Sequence, residues 1–376
     1  MIKFKIKQFF KMISQHFVFP VIYFFHRFGK VDEKLVIFAD AHHDFCPPSM
    51  IDIRNKICDE HFTVKEFYID SAIHSKKEAM RSMKDFMKMY PKAKYVFICD
   101  NYLPVSSCKK KRDTKVIQLW HGCGAFKKFG FDSTEDVPKH YWGNVYKNYD
   151  LVTVSGDACV KHFRTAMQNP DFDNKIVKPI GCASTDRFFN KDFIEACKDK
   201  FRYEFPDAVD KKVVLWAPTF RGNAGLKKSA KIIGEIQLDL YNFLESKNDV
   251  YFIESLHPHL LKDKNVNMTT EELMVCADLL ITDYSSVFFE FLLMDKPILF
   301  YAPDYNSYTE DRGFYLKYDK LPGKIVKSKD ELKEKFEAIL SNDDMSDERE
   351  EYKKLYMNAC DGTATQKIVD YVIDKL

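Results

Sequence analysis

Four segments of the chain place reactive side chains directly after an apolar, strand-like run. The first is Gln118-Leu119-Trp120-His121-Gly122-Cys123-Gly124-Ala125-Phe126-Lys127-Lys128-Phe129-Gly130. An imidazole of ordinary basicity takes a proton from an attacking hydroxyl at neutral pH, an effect of about 10²- to 10⁴-fold in rate. His121 is therefore a candidate general base, with Gly122 allowing close backbone approach to a ligand and Lys127 supplying positive charge. A lone histidine in a turn more often serves structure alone, and it is the company of three further segments that favours chemistry here.

The second segment, Leu215-Trp216-Ala217-Pro218-Thr219-Phe220-Arg221-Gly222-Asn223, offers an arginine whose planar fork of donors matches phosphate oxygens. The third, Phe252-Ile253-Glu254-Ser255-Leu256-His257-Pro258-His259, ends in a histidine that could hold a donor phosphate or protonate a leaving one. His257 and His259 lack a third ligand at useful spacing, so no zinc site is read there. The fourth runs Ala277-Asp278-Leu279-Leu280-Ile281-Thr282-Asp283-Tyr284-Ser285-Ser286-Val287-Phe288-Phe289-Glu290. A strand ending at Asp283 and a helix starting near Ser286 make Ser285, Ser286 and the amides after them a candidate pyrophosphate seat. A serine that merely caps a helix explains only one of the two.

Such residues need a scaffold that presents strand ends. From residue 34, strand-like runs alternate with helical-period stretches, the pattern of parallel sheets covered by helices. Strands are expected at Leu35–Ala39, Val64–Ile69, Tyr95–Cys99, Val116–Trp120, Leu151–Val154 and Ile176–Ile180, a first complete sheet. A polar helical stretch from Asp186 to Asp210 separates them from a second set at Val213–Trp216, Val250–Glu254, Leu279–Thr282 and Ile298–Tyr301, with helices expected at Lys329–Leu340 and from Asp347 onward. The expected architecture is α/β, with two Rossmann-like doubly wound domains facing a cleft, 31–190 and 191–376. In such sheets ligands sit beyond the carboxyl ends of the strands.

The 376 residues suit two domains, and a formal net charge of +2 argues against a nucleic-acid binder. Ten cysteines are scattered singly, the usage of a reducing cytoplasm. Residues 1–30 are the exception to the even charge balance: Lys3, Lys5, Lys7, Lys11, Arg27 and Lys30 precede the first acid, Asp32. Ile6, Phe10, Ile13 and Phe17 recur at helical spacing beside a stripe of Lys3, Lys7 and Lys11, which describes a basic amphipathic helix. The apolar run Phe17–Phe25 contains Pro20 and is far short of the roughly 20 residues that span a bilayer. The segment is read as a peripheral anchor on an anionic membrane surface at the cytoplasmic face. A helix packed on the protein's own core, or on a second copy in a homo-oligomer, is the plainer alternative.

The ordered series Trp-His-Gly with Lys-Lys-x-Gly, Ala-Pro-Thr-Phe-Arg, His-Pro and Thr-Asp-Tyr-Ser-Ser continues with Tyr301-x-x-Asp304, Arg312-Gly313-Phe314-Tyr315 and Pro322-Gly323. It resembles the CDP-glycerol glycerophosphotransferase family of teichoic acid and capsule synthesis over roughly residues 115 to 325. The resemblance implies a glycosyltransferase-B type fold with the acceptor on the N-terminal domain (31–190) and the nucleotide in the C-terminal one (191–376), a CDP-glycerol donor and a lipid-linked or polymeric glycan acceptor; direct displacement of CMP requires no cofactor or metal. It implies that His121 is the base and that Arg221, His257 and Thr282, Asp283, Ser285 and Ser286 hold the donor. Glu290 suits a ribose of this donor or of a UDP-sugar.

Two departures stand out. Gly181-Cys182-Ala183-Ser184-Thr185-Asp186 lacks the Pro-Arg pair of many members, and the Cys-Gly-Ala-Phe turn after Gly122 looks like a variant shared with relatives that use CDP-ribitol. Rival readings are a UDP-sugar glycosyltransferase or epimerase on the same fold, and a non-catalytic membrane-bound module. The loop His42-His43-Asp44-Phe45-Cys46-Pro47-Pro48 is expected to face the acceptor, and Asp171-Phe172-Asp173 is read as a turn.

Overall fold

A computed structural model describes residues 2–71, 73–133, 136–137, 141–168, 175–219, 221, 234–255, 267–306, 308 and 313–376. The side chains of residues 2–7, 235 and 238 lie outside the described residues, those of Lys3, Lys5 and Lys7 among them, as does Asp171-Phe172-Asp173. The chain forms two compact units, one of residues 1–122, 129–186 and 359–376, the other of 123–128 and 187–358. The units do not follow chain order, unlike the linear division expected at residue 190: 123–128 joins the second unit and 359–376 the first.

The sheet of unit 1 comprises β1 (Asp32–Asp40), β2 (Thr63–Tyr68), β3 (Ala93–Ile98), β4 (Lys115–Gln118), β5 (Leu151–Thr153) and β6 (Val177–Lys178) in the order β2-β1-β3-β4-β5-β6. Every pairing is parallel. The run Leu35 to Ala39 in β1 is buried without alternation, because a parallel sheet is covered on both faces. One cover pairs α3 (Pro48–Asp59) with the C-terminal helix Ala364–Lys375. Val36, Phe38, Ile53, Ile57, Ile368 and Val372 share that core.

The Gly181–Asp186 motif explains how the returning segment is held. Asp186 accepts hydrogen bonds from the N–H groups of Ala364 (2.9 Å) and Thr365 (2.7 Å), a carboxylate at the positive end of a helix. Gly181 has φ +99°, and a Cβ there would stand 2.5 Å from the Ala359 carbonyl oxygen. Only glycine tolerates both the angle and the approach.

At the N-terminus, α1 (Ile2–Ile13) runs through a π-helical turn, Ser14–Val18, into α2 (Phe19–His26). The turn brings Gln15 inward, where its amide donates to Ser106 Oγ (3.2 Å) and the Asn144 carbonyl (3.1 Å). Phe19 and Tyr23 are buried, while Phe9, Phe10, Phe17, Phe24, Phe25 and Phe28 are exposed. One side of the segment thus belongs to unit 1's own core and the other is open. Among the described residues no helix is long and apolar enough to cross a membrane.

Unit 2 holds a second all-parallel sheet of β7 (Lys212–Ala217), β8 (Val250–Glu254), β9 (Leu279–Thr282), β10 (Ile298–Tyr301) and β11 (Lys324–Val326), ordered β11-β10-β9-β7-β8. Val214, Trp216, Leu279, Ile281 and Leu299 pack against Leu240, Leu332, Phe336 and Ile339 from the covering helices. Central strands β7 and β9 end at Ala217 and Thr282, directly before the second and fourth reactive segments.

Candidate active site

In unit 1, β4 ends at Gln118 and the chain turns at once. The buried Gln118 amide donates to the Asp100 carbonyl (3.0 Å) and accepts from Trp120 N–H (2.8 Å), fixing the ends of β3 and β4 together. Trp120 adopts φ +60°, a left-handed conformation that costs about 1–2 kcal/mol for a residue with a Cβ. Its ring is held by Phe129 (4.8 Å) and Phe163 (5.3 Å) and stacks on His121 at 4.9 Å. The imidazole is steadied yet 54% exposed, open to an incoming substrate.

His121 Nδ1 lies 3.6 Å from Asp100 Oδ2, and His42 Nδ1 lies 3.3 Å from the same oxygen. Beneath them Asp40, 1% exposed, accepts from the N–H groups of His42 (2.7 Å) and His43 (2.8 Å) and contacts His43 Nδ1 at 2.9 Å. Burial by itself would push the Asp40 carboxyl up, but the hydrogen bonds from His42 and His43 outweigh it and hold the group far below the usual carboxylate range. For His42, desolvation opposes the charge, while the Asp40 bond and the Asp100 charge overcome it and push the pKa up to about 9. Asp100 Oδ2 therefore lies between the His121 ring and a His42 that is protonated at neutral pH. Asp44 orders the rest of the 42–48 loop by accepting from Asp70 N–H (2.8 Å) and pairing with His74 (2.9 Å).

In unit 2, Arg221 is clasped by protein oxygens. Its Nε and Nη2 bind Asp304 in the two-pronged fashion (2.7 and 3.0 Å), and Nη1 meets Asp283 Oδ2 (2.7 Å) and the Thr219 carbonyl (2.5 Å). The guanidinium lies 4.9 Å from the Tyr284 ring and 5.0 Å from that of Tyr308. Asp283 Oδ1 accepts from Thr219 N–H (2.7 Å) and Tyr284 N–H (2.5 Å), which brackets the turns after β7 and β9. Thr282 is fully buried and donates its hydroxyl to the Ala217 carbonyl (2.7 Å). Ser285 Oγ accepts from Val287 N–H (3.4 Å), and Ser286 precedes the short helix Val287–Phe291.

The six-residue excursion 123–128 is anchored in unit 2. Glu290 Oε1 accepts from Cys123 N–H (2.9 Å), while Lys128 N–H donates to the Gly313 carbonyl and Tyr315 N–H to that of Phe126. Lys127 is half-buried and bridges to Phe314. Glu290 Oε2 is buried without a hydrogen-bond partner among the described residues. Burial pushes this carboxyl up to about 7 against the pull of the Cys123 N–H.

Of the residues singled out in the sequence, His121 and Gly122 thus belong to unit 1, and Arg221, Thr282, Asp283, Ser285, Ser286, Glu290 and Lys127 to unit 2. His257 lies outside the described residues, as do Pro258, His259, Gly222, Asn223 and Arg312. Asp100, Asp40 and Gln118 were missed. Asp100 follows β3 as His121 follows β4, so the rule that polar groups after strand ends matter would have found it.

Two all-parallel α/β sheets, each carrying polar groups just past its strand ends, define a protein of the GT-B-like fold class. The solved wall teichoic acid polymerase TagF superposes with TM-score 0.70 at 22% identity, covering 98% of each chain. A UDP-GlcNAc 2-epimerase from Neisseria meningitidis superposes with TM-score 0.52 at 11% identity, over 92% of this chain and all of that one. These likenesses concern the fold.

The sequence model of the CDP-glycerol:poly(glycerophosphate) glycerophosphotransferase family matches residues 21–374, and the chain belongs to that family of teichoic acid enzymes. It is 33% identical over 296 residues to the teichoic acid ribitol-phosphate primase of Bacillus spizizenii, covering 73% of each. To the teichoic acid glycerol-phosphate primase of Bacillus subtilis it is 26% identical, over 81% of this chain and 79% of that protein. It spans about half (52%) of the teichoic acid poly(ribitol-phosphate) polymerase of Bacillus spizizenii, at 32% identity.

Proposed function

We propose that the chain transfers a polyol phosphate from a CDP-activated donor to a hydroxyl of a lipid-linked or polymeric acceptor, releasing CMP. The acceptor oxygen attacks the β-phosphorus in line. A new P–O bond forms, the anhydride bond to the α-phosphate breaks, and CMP departs with its electron pair. His121 takes the hydroxyl proton. With Nδ1 turned to Asp100, Nε2 is left as the basic nitrogen. The single observation that carries this reading is the exposed imidazole beyond β4, braced by Trp120 and faced by a carboxylate.

On the donor side, Ser285 and Ser286 offer hydroxyls, Lys127 offers charge, and Glu290 Oε2, without a hydrogen-bond partner among the described residues, is an acceptor for a ribose hydroxyl. Arg221 acts by fixing the Asp283–Ser285 turn through its clasp. His257 is the remaining candidate for protonating the leaving phosphate.

The motif series points to CDP-glycerol. A second reading, CDP-ribitol, is favoured by the 33% identity to a ribitol-phosphate primase against 26% to a glycerol-phosphate primase. Supplying CDP-glycerol, CDP-ribitol and UDP-sugars in turn and identifying the nucleotide released separates these from a UDP-sugar enzyme. His121→Ala is expected to abolish CMP release while the donor still binds. Turnover within about tenfold of wild type would remove His121 from the role of base, since a general base supplies about 10²-fold or more.

The open aromatic side of residues 9–28 supports a peripheral seat on the cytoplasmic face of the membrane.

A further inference from the structure

A groove of about 760 Å³ runs between α2 with the residues before it and α4 (Lys76–Met89). One wall is apolar and open to solvent: Phe17 is 59% exposed, Val21 55% and Phe25 68%. The other wall carries Lys77, Arg81, Lys84 and Lys88, whose spacing of four, three and four puts them along one side of the helix. Lys88 is paired with Asp85 at 2.7 Å, whereas Lys77, Arg81 and Lys84 form no ion pair among the described residues. Helix α4 is fixed in place by a full capping box between Ser75 and Glu78, and by Phe86 and Met87 in the core.

We propose that this groove holds one anionic phospholipid of the membrane surface, its acyl chain along Phe17, Val21 and Phe25 and its phosphate against Arg81 and Lys84. The volume falls in the range of small-molecule sites, and the two walls match the two ends of an amphiphile. An acidic peptide would satisfy the cations and leave the aromatic wall in water. The exposed Phe24 of α2, and Phe28 just beyond its end, continue the apolar side toward a bilayer. The inference deepens the membrane-surface part of the proposed function and rests on it. It adds a discrete site in α4, outside the basic N-terminal stripe read from the sequence.

The test uses the full chain with phosphatidylglycerol and with phosphatidylcholine vesicles. Wild type is expected to sediment with the former and to keep one phospholipid per chain when re-isolated and weighed by native mass spectrometry. A basic residue near an anionic surface contributes roughly fivefold, so the Arg81→Gln/Lys84→Gln double variant should partition about 30-fold less. Val21→Gln, at an exposed position, should lose the retained lipid while circular dichroism stays that of wild type.

Equal partitioning onto both lipids, or variants that bind phosphatidylglycerol as wild type does, would overturn the proposal. So would variants whose only change is a shift from dimer to monomer in light scattering, which would make the groove a contact between copies. CMP release with a soluble acceptor should be unchanged in all of them. Loss of that release in wild type would sink the transferase reading and leave the lipid measurement standing.

Discussion

Replacing Arg221 by alanine distinguishes a clasp from a ligand-binding arginine. The side chains of Asp283 and Asp304 are only 5% and 13% exposed, and Arg221 faces both. Without the guanidinium two nearly buried carboxylates lose their shared cation. Breaking a buried pair from one side costs about 3–5 kcal/mol, a large part of the 5–15 kcal/mol typical of a folded domain. The assay is urea unfolding without donor, followed by fluorescence of Trp216, buried in β7, in a background where Trp120 and Trp142 are phenylalanine. Unit 2 should lose about 3–5 kcal/mol. Arg221→Lys should fall between, since an ammonium keeps the charge and cannot bridge Asp304 with two parallel bonds. Adding Asp304→Asn to Arg221→Met should recover part of the loss. The reasoning is refuted if Arg221→Ala unfolds within about 1 kcal/mol of wild type, less than any broken buried pair, while the KM for donor rises more than tenfold. The fork would then serve the substrate and its carboxylate contacts would be incidental.

Glu290 makes a pH prediction. Its pKa is about 7 in the folded chain against an ordinary 4.5, so the folded state binds more protons between those values. Its stabilising contribution is complete below about pH 4.5 and is lost as the pH rises through 7, a change of about 3 kcal/mol. Urea unfolding of Glu290→Gln across that window should show the slope removed. Asp186→Ala removes both bonds to the start of the C-terminal helix and should cost unit 1 about 1–2 kcal/mol, read from the unfolding of Trp120 emission. Asp100→Asn keeps the shape and removes the charge 3.6 Å from a half-exposed His121. At an effective dielectric between those of water and a protein surface that is about 1–2 kcal/mol, so kcat should drop roughly tenfold with KM for donor unchanged. An unaltered kcat would leave Asp100 no part in positioning the base.

Ten strands were legible as β-branched or aromatic runs, most of them buried on both faces of a parallel sheet, with the edge strand β2 largely exposed. The exception, β11, is only Lys324–Val326, too short to stand out from a turn. That the N-terminus is helical was equally readable, but its division was not. Gln15 looks like a polar-face residue until the π-helical turn swings it toward Ser106 and Asn144. His121 could be found from its place after a strand. What surrounds it could not be, because Asp100 and His42 come from other strand ends and meet it only through the order β1-β3-β4. Arg221 shows the same limit. A loop arginine next to Gly222 reads as a hydrogen-bond donor to phosphate, and only the parallel order of β7, β9 and β10 brings Asp283 and Asp304 to its fork.

The returning segment Ala359–Leu376, through its helix Ala364–Lys375, covers the sheet that the front of the chain begins. During synthesis, the apolar flank of Val36, Phe38, Ile53 and Ile57 is made early, and its cover of Ile368, Val369 and Val372 emerges only after all of residues 187–358. At usual elongation speeds that is a delay of roughly 10–30 s. Over that interval the nascent first unit carries a sticky, unfinished side that chaperones would recognise. A ribosome stalled before residue 364 would release a chain whose rear unit can fold while its front unit cannot close.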